Sequence, residues 1–137
     1  MFKLVKILSS CVTAPEFMLM PTSADKHYQV GCLLVVDAYG RMDNPTQTAK
    51  PTHICVENVE PNTKSTVLVF PITPDMIFEA PVLSNAHNIK LGTKIGFAYN
   101  EHNCAYTLTG STTNGVATVV YNLDYATNGN KIRVRFE

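Results

Sequence analysis

The closing stretch Lys131-Ile132-Arg133-Val134-Arg135-Phe136 alternates cationic and apolar residues without a break. Successive side chains of an extended strand point to opposite faces, so Ile132, Val134 and Phe136 share one face and Lys131, Arg133 and Arg135 the other. The apolar face needs a core to cover it, and the cationic face must be solvated or paired. The pattern occurs twice, because Gly92 to Tyr99 and Gly129 to Phe136 both read G-x-K-I-x-Φ-x-Φ, where Φ is apolar or aromatic. The leading Gly supplies a turn with positive φ, and the alternation after it specifies a half-buried strand.

Short runs of the same kind fill the rest of the chain, and no helical period of useful length competes with them. Gln29 to Met42 holds a continuous apolar run that ends at Asp37 and turns at Ala38-Tyr39-Gly40. Its β-branched content and flanking Gly residues mark a buried strand rather than a helix. THICVENV, STVLVF, IKLGTKIGFAYN, CAYTLTG, VATVVYNL and KIRVRFE supply further strands. Thr113-Asn114-Gly115 predicts a tight hairpin, since Asn-Gly readily takes type I′ dihedrals, and Thr127-Asn128-Gly129 repeats that chemistry.

In VFPITPDMIFEAPV three prolines stand among strand formers. Pro71 ends a strand or lies on an edge, Pro74 sets a turn with Asp75, and Pro81 closes the short MIFEA segment. Ile77 is then expected on one face and Met76 and Phe78 on the other. The expected fold is all-β, a small barrel or sandwich of about seven to nine short strands with an extended N-terminal segment. Residues 1–28 form the N-terminal strand or arm segment and residues 29–137 a single β domain. Within the first segment, Phe2 and Leu4 of FKLVKIL face one side and Lys3, Val5 and Ile7 the other. Phe17, Met18, Leu19 and Met20, closed by Pro21, form an apolar island suited to packing on a neighbouring subunit, or to a short strand on the chain's own core.

Lys and Arg number 11, as do Asp and Glu, and the pI is about 6.9. That balance argues against a general nucleic-acid binder, which needs a basic face to displace counterions from phosphate. No apolar run reaches the roughly 20 residues that span a bilayer. Leu8-Ser9-Ser10-Cys11 resembles a lipoprotein cleavage box, yet Lys3 and Lys6 interrupt the short apolar stretch before it, so an unprocessed chain is expected. Cys11, Cys32, Cys55 and Cys104 match no knuckle or redox motif, and reduced, mostly buried thiols are expected.

His53-Ile54-Cys55 and His102-Asn103-Cys104 each put two metal-ligating side chains on one strand face. If the two segments met they would make a Cys₂His₂ zinc set, or place a thiol beside an imidazole for nucleophilic chemistry. Zinc ribbons and fingers rely on tighter local loops, and nothing in the spacing brings these segments together. Asp75 and Glu79, four apart, lack environments that would separate their pKa values, and read as turn and surface residues rather than an acid–base pair. Nucleophile elbows, phosphate loops and dinucleotide fingerprints are absent. The chain is therefore expected not to be an enzyme and to need no metal or cofactor.

The order of features supports one resemblance. A Gly-led strand from Gly31 to Val36 is followed by a turn at Gly40-Arg41 and a loop ending in Lys50-Pro51-Thr52-His53-Ile54. Thr73-Pro74-Asp75-Met76-Ile77-Phe78-Glu79, a G-x-K strand and the closing Asn-Gly-Asn-Lys-Ile-Arg-Val-Arg-Phe come after it. Over residues 29–137 this resembles the small β-rich decoration, or auxiliary head, proteins of tailed bacteriophages. The resemblance implies a non-enzymatic virion structural protein that binds the major capsid protein and cements the shell. It would be assembled in the host cytoplasm and present as a homo-oligomer or as symmetric copies on the capsid surface, without nucleic-acid or membrane partners. Residues Phe17, Met18, Leu19 and Met20 would then serve as an intersubunit arm. Other readings are a head–tail or tail adaptor, or a small β-barrel module for a ligand or nucleic acid. The last needs Tyr99, Tyr106 and Tyr121 to share a face with Lys94, Arg133 and Arg135.

Overall fold

A computed structural model describes residues 1–8, 15–83, 89–100, 105–122 and 131–137. Among them are twelve strands and no helix. They run β1 (Lys3–Ile7), β2 (Met18–Pro21), β3 (Leu33–Val36), β4 (Met42–Asp43), β5 (His53–Cys55) and β6 (Thr66–Pro71). There follow β7 (Met76–Pro81), β8 (Lys94–Ile95), β9 (Phe97–Asn100), β10 (Ala105–Leu108), β11 (Ala117–Asn122) and β12 (Lys131–Phe136). The all-β expectation holds. The strand count exceeds it because two-residue pieces such as β4 and β8 give no periodic signal.

One five-stranded sheet has the order β1-β7-β12-β11-β8, the other β2-β6-β5-β3-β4, and β9 and β10 form a hairpin. Gly96 separates β8 from β9; its amide donates to the Ser111 carbonyl and its carbonyl accepts from Thr109. Val82 bridges Leu108 in parallel, which brings β10 back to the end of β7. The second sheet curls in the same way, with Thr22 after β2 bridging Met42 of β4. Each sheet thus returns toward its own start, and both contribute to one hydrophobic core.

The sheets meet through aromatics. Phe70 of β6 stacks on Phe78 of β7 with ring centroids 6.4 Å apart, and Phe136 packs against both Phe78 and Phe2. Residues 1–28 feed both sheets: β1 pairs with β7, β2 pairs with β6, and Phe2 and Tyr28 are buried. Leu33 and Leu34, and Ile54 and Cys55, are buried on both faces of β3 and β5, which accounts for a continuous apolar run where alternation would mark a half-exposed strand.

Strand β12 follows its sequence pattern, with Ile132, Val134 and Phe136 fully buried. In β7, Met76, Phe78 and Ala80 are buried while Ile77, Glu79 and Pro81 are less so, as the alternation requires. Pro71 and Pro81 each occupy the last position of a strand, and the Met76 amide bonds back to the Thr73 carbonyl across Pro74 and Asp75. At Asp37-Ala38-Tyr39-Gly40-Arg41, Gly40 takes φ 78°. The Asp37 carboxylate accepts from the Tyr39 and Arg41 amides at 2.8 and 2.9 Å, closing the β3–β4 hairpin.

Two local expectations need correction. A bulge falls between Leu4 and Lys6, so Lys3 and Lys6 both lie opposite outward residues of β7 while Leu4 and Ile7 both pack on the core. Ile7 therefore joins Leu4 rather than facing away from it. Asn114-Gly115 does not make a two-residue hairpin, because β10 and β11 are not paired with each other. Asn114 takes φ 54°, but Gly115 is not in the left-handed region. A Cβ on Gly115 would lie 2.4 Å from the Lys94 carbonyl oxygen, so the position demands glycine for close backbone approach. The Thr127-Asn128-Gly129 turn lies outside the described residues.

Candidate functional site

The alternation that builds the core also fixes what the molecule presents outward, and two surfaces stand out. The first is β2. The Thr22 amide donates to Ser65, so residues 22, 20 and 18 form the hydrogen-bonded pairs with β6. An antiparallel ladder then turns the Leu19 N–H and C=O away from β6. Among the described residues, β2 is the outermost strand of its sheet over this stretch. Met18 and Met20 are half-buried against the core, whereas Phe17 and Leu19 are 55% and 64% exposed. Phe17 reaches the inter-sheet aromatics edge-on, 6.0 Å from Phe70. The apolar island thus divides into an anchoring pair and a displayed pair. Pro15 and Pro21 bracket it, and Glu16 is its single charge.

The second surface is the outward face of β1-β7-β12-β11-β8. Register places Lys3 opposite Glu79, Glu79 opposite Arg133, and Arg133 opposite Tyr121, forming one row across four strands. Beside it, Lys6 lies opposite Ile77, while Arg135 lies opposite Thr118 and Thr118 opposite Lys94. Lys131 faces Pro81. Arg133 forms an ion pair with Glu79 at 3.5 Å, too long for a hydrogen bond, and its guanidinium lies 5.5 Å from the Tyr121 ring centre. Arg135 pairs with Glu137 at 2.9 Å. The face thus holds six of the 11 Lys and Arg residues, with Glu79 and Glu137 the acids against them among the described residues. The neutral chain is charge-segregated, a property set by register that composition cannot show.

The second sheet instead pairs its charges locally: Lys26 with Asp43, Arg41 with Asp37 and Lys64 with Glu57, each within 3.0 Å. Hydrogen bonds from the Arg41 and Tyr39 amides and the Arg41 side chain hold the Asp37 carboxyl below its ordinary pKa. Hydrogen bonds from Lys64 and the Leu68 amide do the same for Glu57. Where this sheet closes, the buried Tyr28 hydroxyl accepts from the Ser23 amide at 2.9 Å and donates to the Met42 carbonyl at 2.8 Å. No sequence signal marked Tyr28, whose partners come from two distant segments.

The residues weighed for chemistry fall elsewhere. Cys55 is buried, donates its thiol proton to the Glu57 carbonyl, and has its pKa pushed up to about 12 by burial, which keeps the thiolate from forming. His53 sits two residues away with Nδ1 2.8 Å from the Thr52 hydroxyl, and burial lowers its pKa. His102, Cys104 and Cys11 lie outside the described residues, and no group of three metal-ligating side chains forms among the described ones. Asp75 bonds the Thr73 hydroxyl while Glu79 pairs with Arg133, so the two acids serve a turn and a sheet face.

Of the three tyrosines, Tyr106 is buried with Tyr99 packed on it at 4.8 Å, and only Tyr121 lies with the arginines. The shared aromatic platform required for single-strand stacking is therefore not assembled by these residues. No protein-family model, curated protein or solved structure matches the chain.

Proposed function

We propose that this protein is a non-enzymatic virion structural protein that docks on the outside of a bacteriophage capsid and stabilises it. The observation that carries the reading is the division of labour in β2. Met18 and Met20 hold the strand to its own core, while Phe17 and Leu19 stand exposed beside Leu19 backbone groups that turn away from β6. An exposed apolar edge strand is an association site unless it is blunted by charge or proline. Here the prolines sit only at its two ends. The resemblance of residues 29–137 to auxiliary head proteins supplies the identity of the assembly.

Binding the closed shell but not its dissociated subunits would stabilise it by mass action. Symmetric copies would compound modest contacts through avidity. The test is to add purified protein to expanded shells that lack it. The protein should cosediment with the shells and raise their thermal disruption temperature, and a Phe17→Ser/Leu19→Ser variant should do neither while keeping its own fold. Wild-type protein that neither binds nor stabilises the shells refutes the reading.

A further inference from the structure

We propose that the cationic outward face of the β1-β7-β12-β11-β8 sheet is a second docking surface, and that its occupant is a carboxylate-rich segment of a protein partner. This deepens the protein-docking reading above and rests on it. The charge asymmetry is large for a neutral chain: among the described residues, six cationic and two anionic side chains lie on this face, against five cationic and seven anionic ones elsewhere. Lys3, Lys6, Lys94 and Lys131 are exposed and have no carboxylate partner among the described residues. Such a face steers an oppositely charged surface and orients it on approach.

The face is shaped as well as charged. A cleft of about 300 Å³ opens at its edge between Met1, Lys3, Glu79, Ala80, Pro81 and Lys131. Its lining joins the cationic Lys3 and Lys131, with Glu79 between them, to the apolar Met1, Ala80 and Pro81, which suits the stem and head of a carboxylate side chain that meets the lysines. Tyr121, 51% exposed and stacked by Arg133, adds residue types that dominate protein interfaces.

The position of Glu79 selects between polyanions. It sits in the row between Lys3 and Arg133, so a phosphate backbone crossing the row would lay continuous negative charge over it. Separate carboxylates on a polypeptide can straddle it and meet Lys3 on one side and Lys131 on another. The excess of acids among the described residues off this face likewise opposes a long polyanion that overruns it.

The test titrates the full chain with a fluorescein-labelled peptide of about ten glutamates, and in parallel with a labelled single-stranded oligonucleotide of similar charge, following anisotropy between roughly 50 and 200 mM salt. The peptide should bind, weakening with salt. Lys3→Gln/Lys131→Gln should lower its affinity about tenfold, while Lys50→Gln/Lys64→Gln, the same charge change in loops of the second sheet, should alter it less than about twofold. No peptide binding, an equal loss in the two double variants, or tighter binding of the oligonucleotide would overturn the proposal. Phe17→Ser/Leu19→Ser should still bind the peptide. If peptide binding fails while shells are still bound, this inference falls and the proposed function stands.

Discussion

Replacing Tyr28 by Phe removes a single oxygen at the seam where the second sheet closes. The ring stays buried, so the change isolates two hydrogen bonds: one from the Ser23 amide and one to the Met42 carbonyl. Ser23 is only part-buried, and water can replace its partner at small cost. The bond to Met42 is buried, so its carbonyl loses the one side-chain donor it has among the described residues, where water does not reach. A lost bond to a solvated group costs about 0.5 kcal/mol and a stranded buried carbonyl about 1–2 kcal/mol, giving a total near 2 kcal/mol. For a chain of this length that lowers Tm by about 7 °C.

Tyr106→Phe is the internal control. Its hydroxyl is equally buried but has no hydrogen-bond partner among the described residues, so removing it should leave stability unchanged or raise it by up to about 1 kcal/mol. Urea and thermal unfolding of the two variants, followed by near-ultraviolet circular dichroism, make the comparison. Equal losses in both variants, or no loss at Tyr28, would refute the account of sheet closure.

Other perturbations follow from the same structure. Gly31 takes φ 82° and an added Cβ would lie 2.2 Å from Met1 Cγ and 3.0 Å from the Phe2 carbonyl, whereas Gly40 takes φ 78° in open space. Urea unfolding should show Gly40→Ala losing about 1 kcal/mol from backbone strain and Gly31→Ala losing clearly more, with the N-terminus displaced. The Asp37 carboxyl is held below its ordinary value of 3.8, so its contribution is present above that pH and is lost as pH falls through the lower folded value. Asp37→Asn should be less stable at neutral pH and show a flatter loss of stability on acidification, measured by unfolding at a series of pH values. Cys55, with its thiol pushed up to about 12, should resist iodoacetamide at mildly alkaline pH until denaturant is added, as site-resolved mass spectrometry would show. Rapid native labelling of Cys55 would contradict its placement.

Legibility in the sequence followed how local each determinant is. Strands β7 and β12 carry their face assignments in period-two patterns, and the structure places Met76, Phe78, Ile132 and Val134 inside accordingly. The repeat at Gly92 was readable as a turn followed by inward Ile95 and Phe97, but not as two strands, because the second Gly, Gly96, shifts pairing from β11 to β10. Bulges are equally silent: one extra residue in β1 reverses the facing of Ile7 and brings Lys6 beside Lys3.

The Asn114-Gly115 pair illustrates a right residue for another reason, since contact with the Lys94 backbone, not a type I′ turn, requires Gly115. The displayed pair in β2 was visible as an apolar island, while its division into anchoring and exposed residues required the pairing with β6. The cationic face was least visible. Lys3, Lys6, Lys94 and Lys131 come from three separated parts of the chain, and only the strand order unites them.

The most direct measurement for the central claim is a density map of an intact virion that contains this protein. The account predicts copies on the outer shell, with Phe17 and Leu19 of β2 buried against the capsid protein and the sheet face bearing Lys3 and Lys131 opposite acidic residues. Copies placed away from the outer shell, or with β2 facing solvent on every copy, would contradict it.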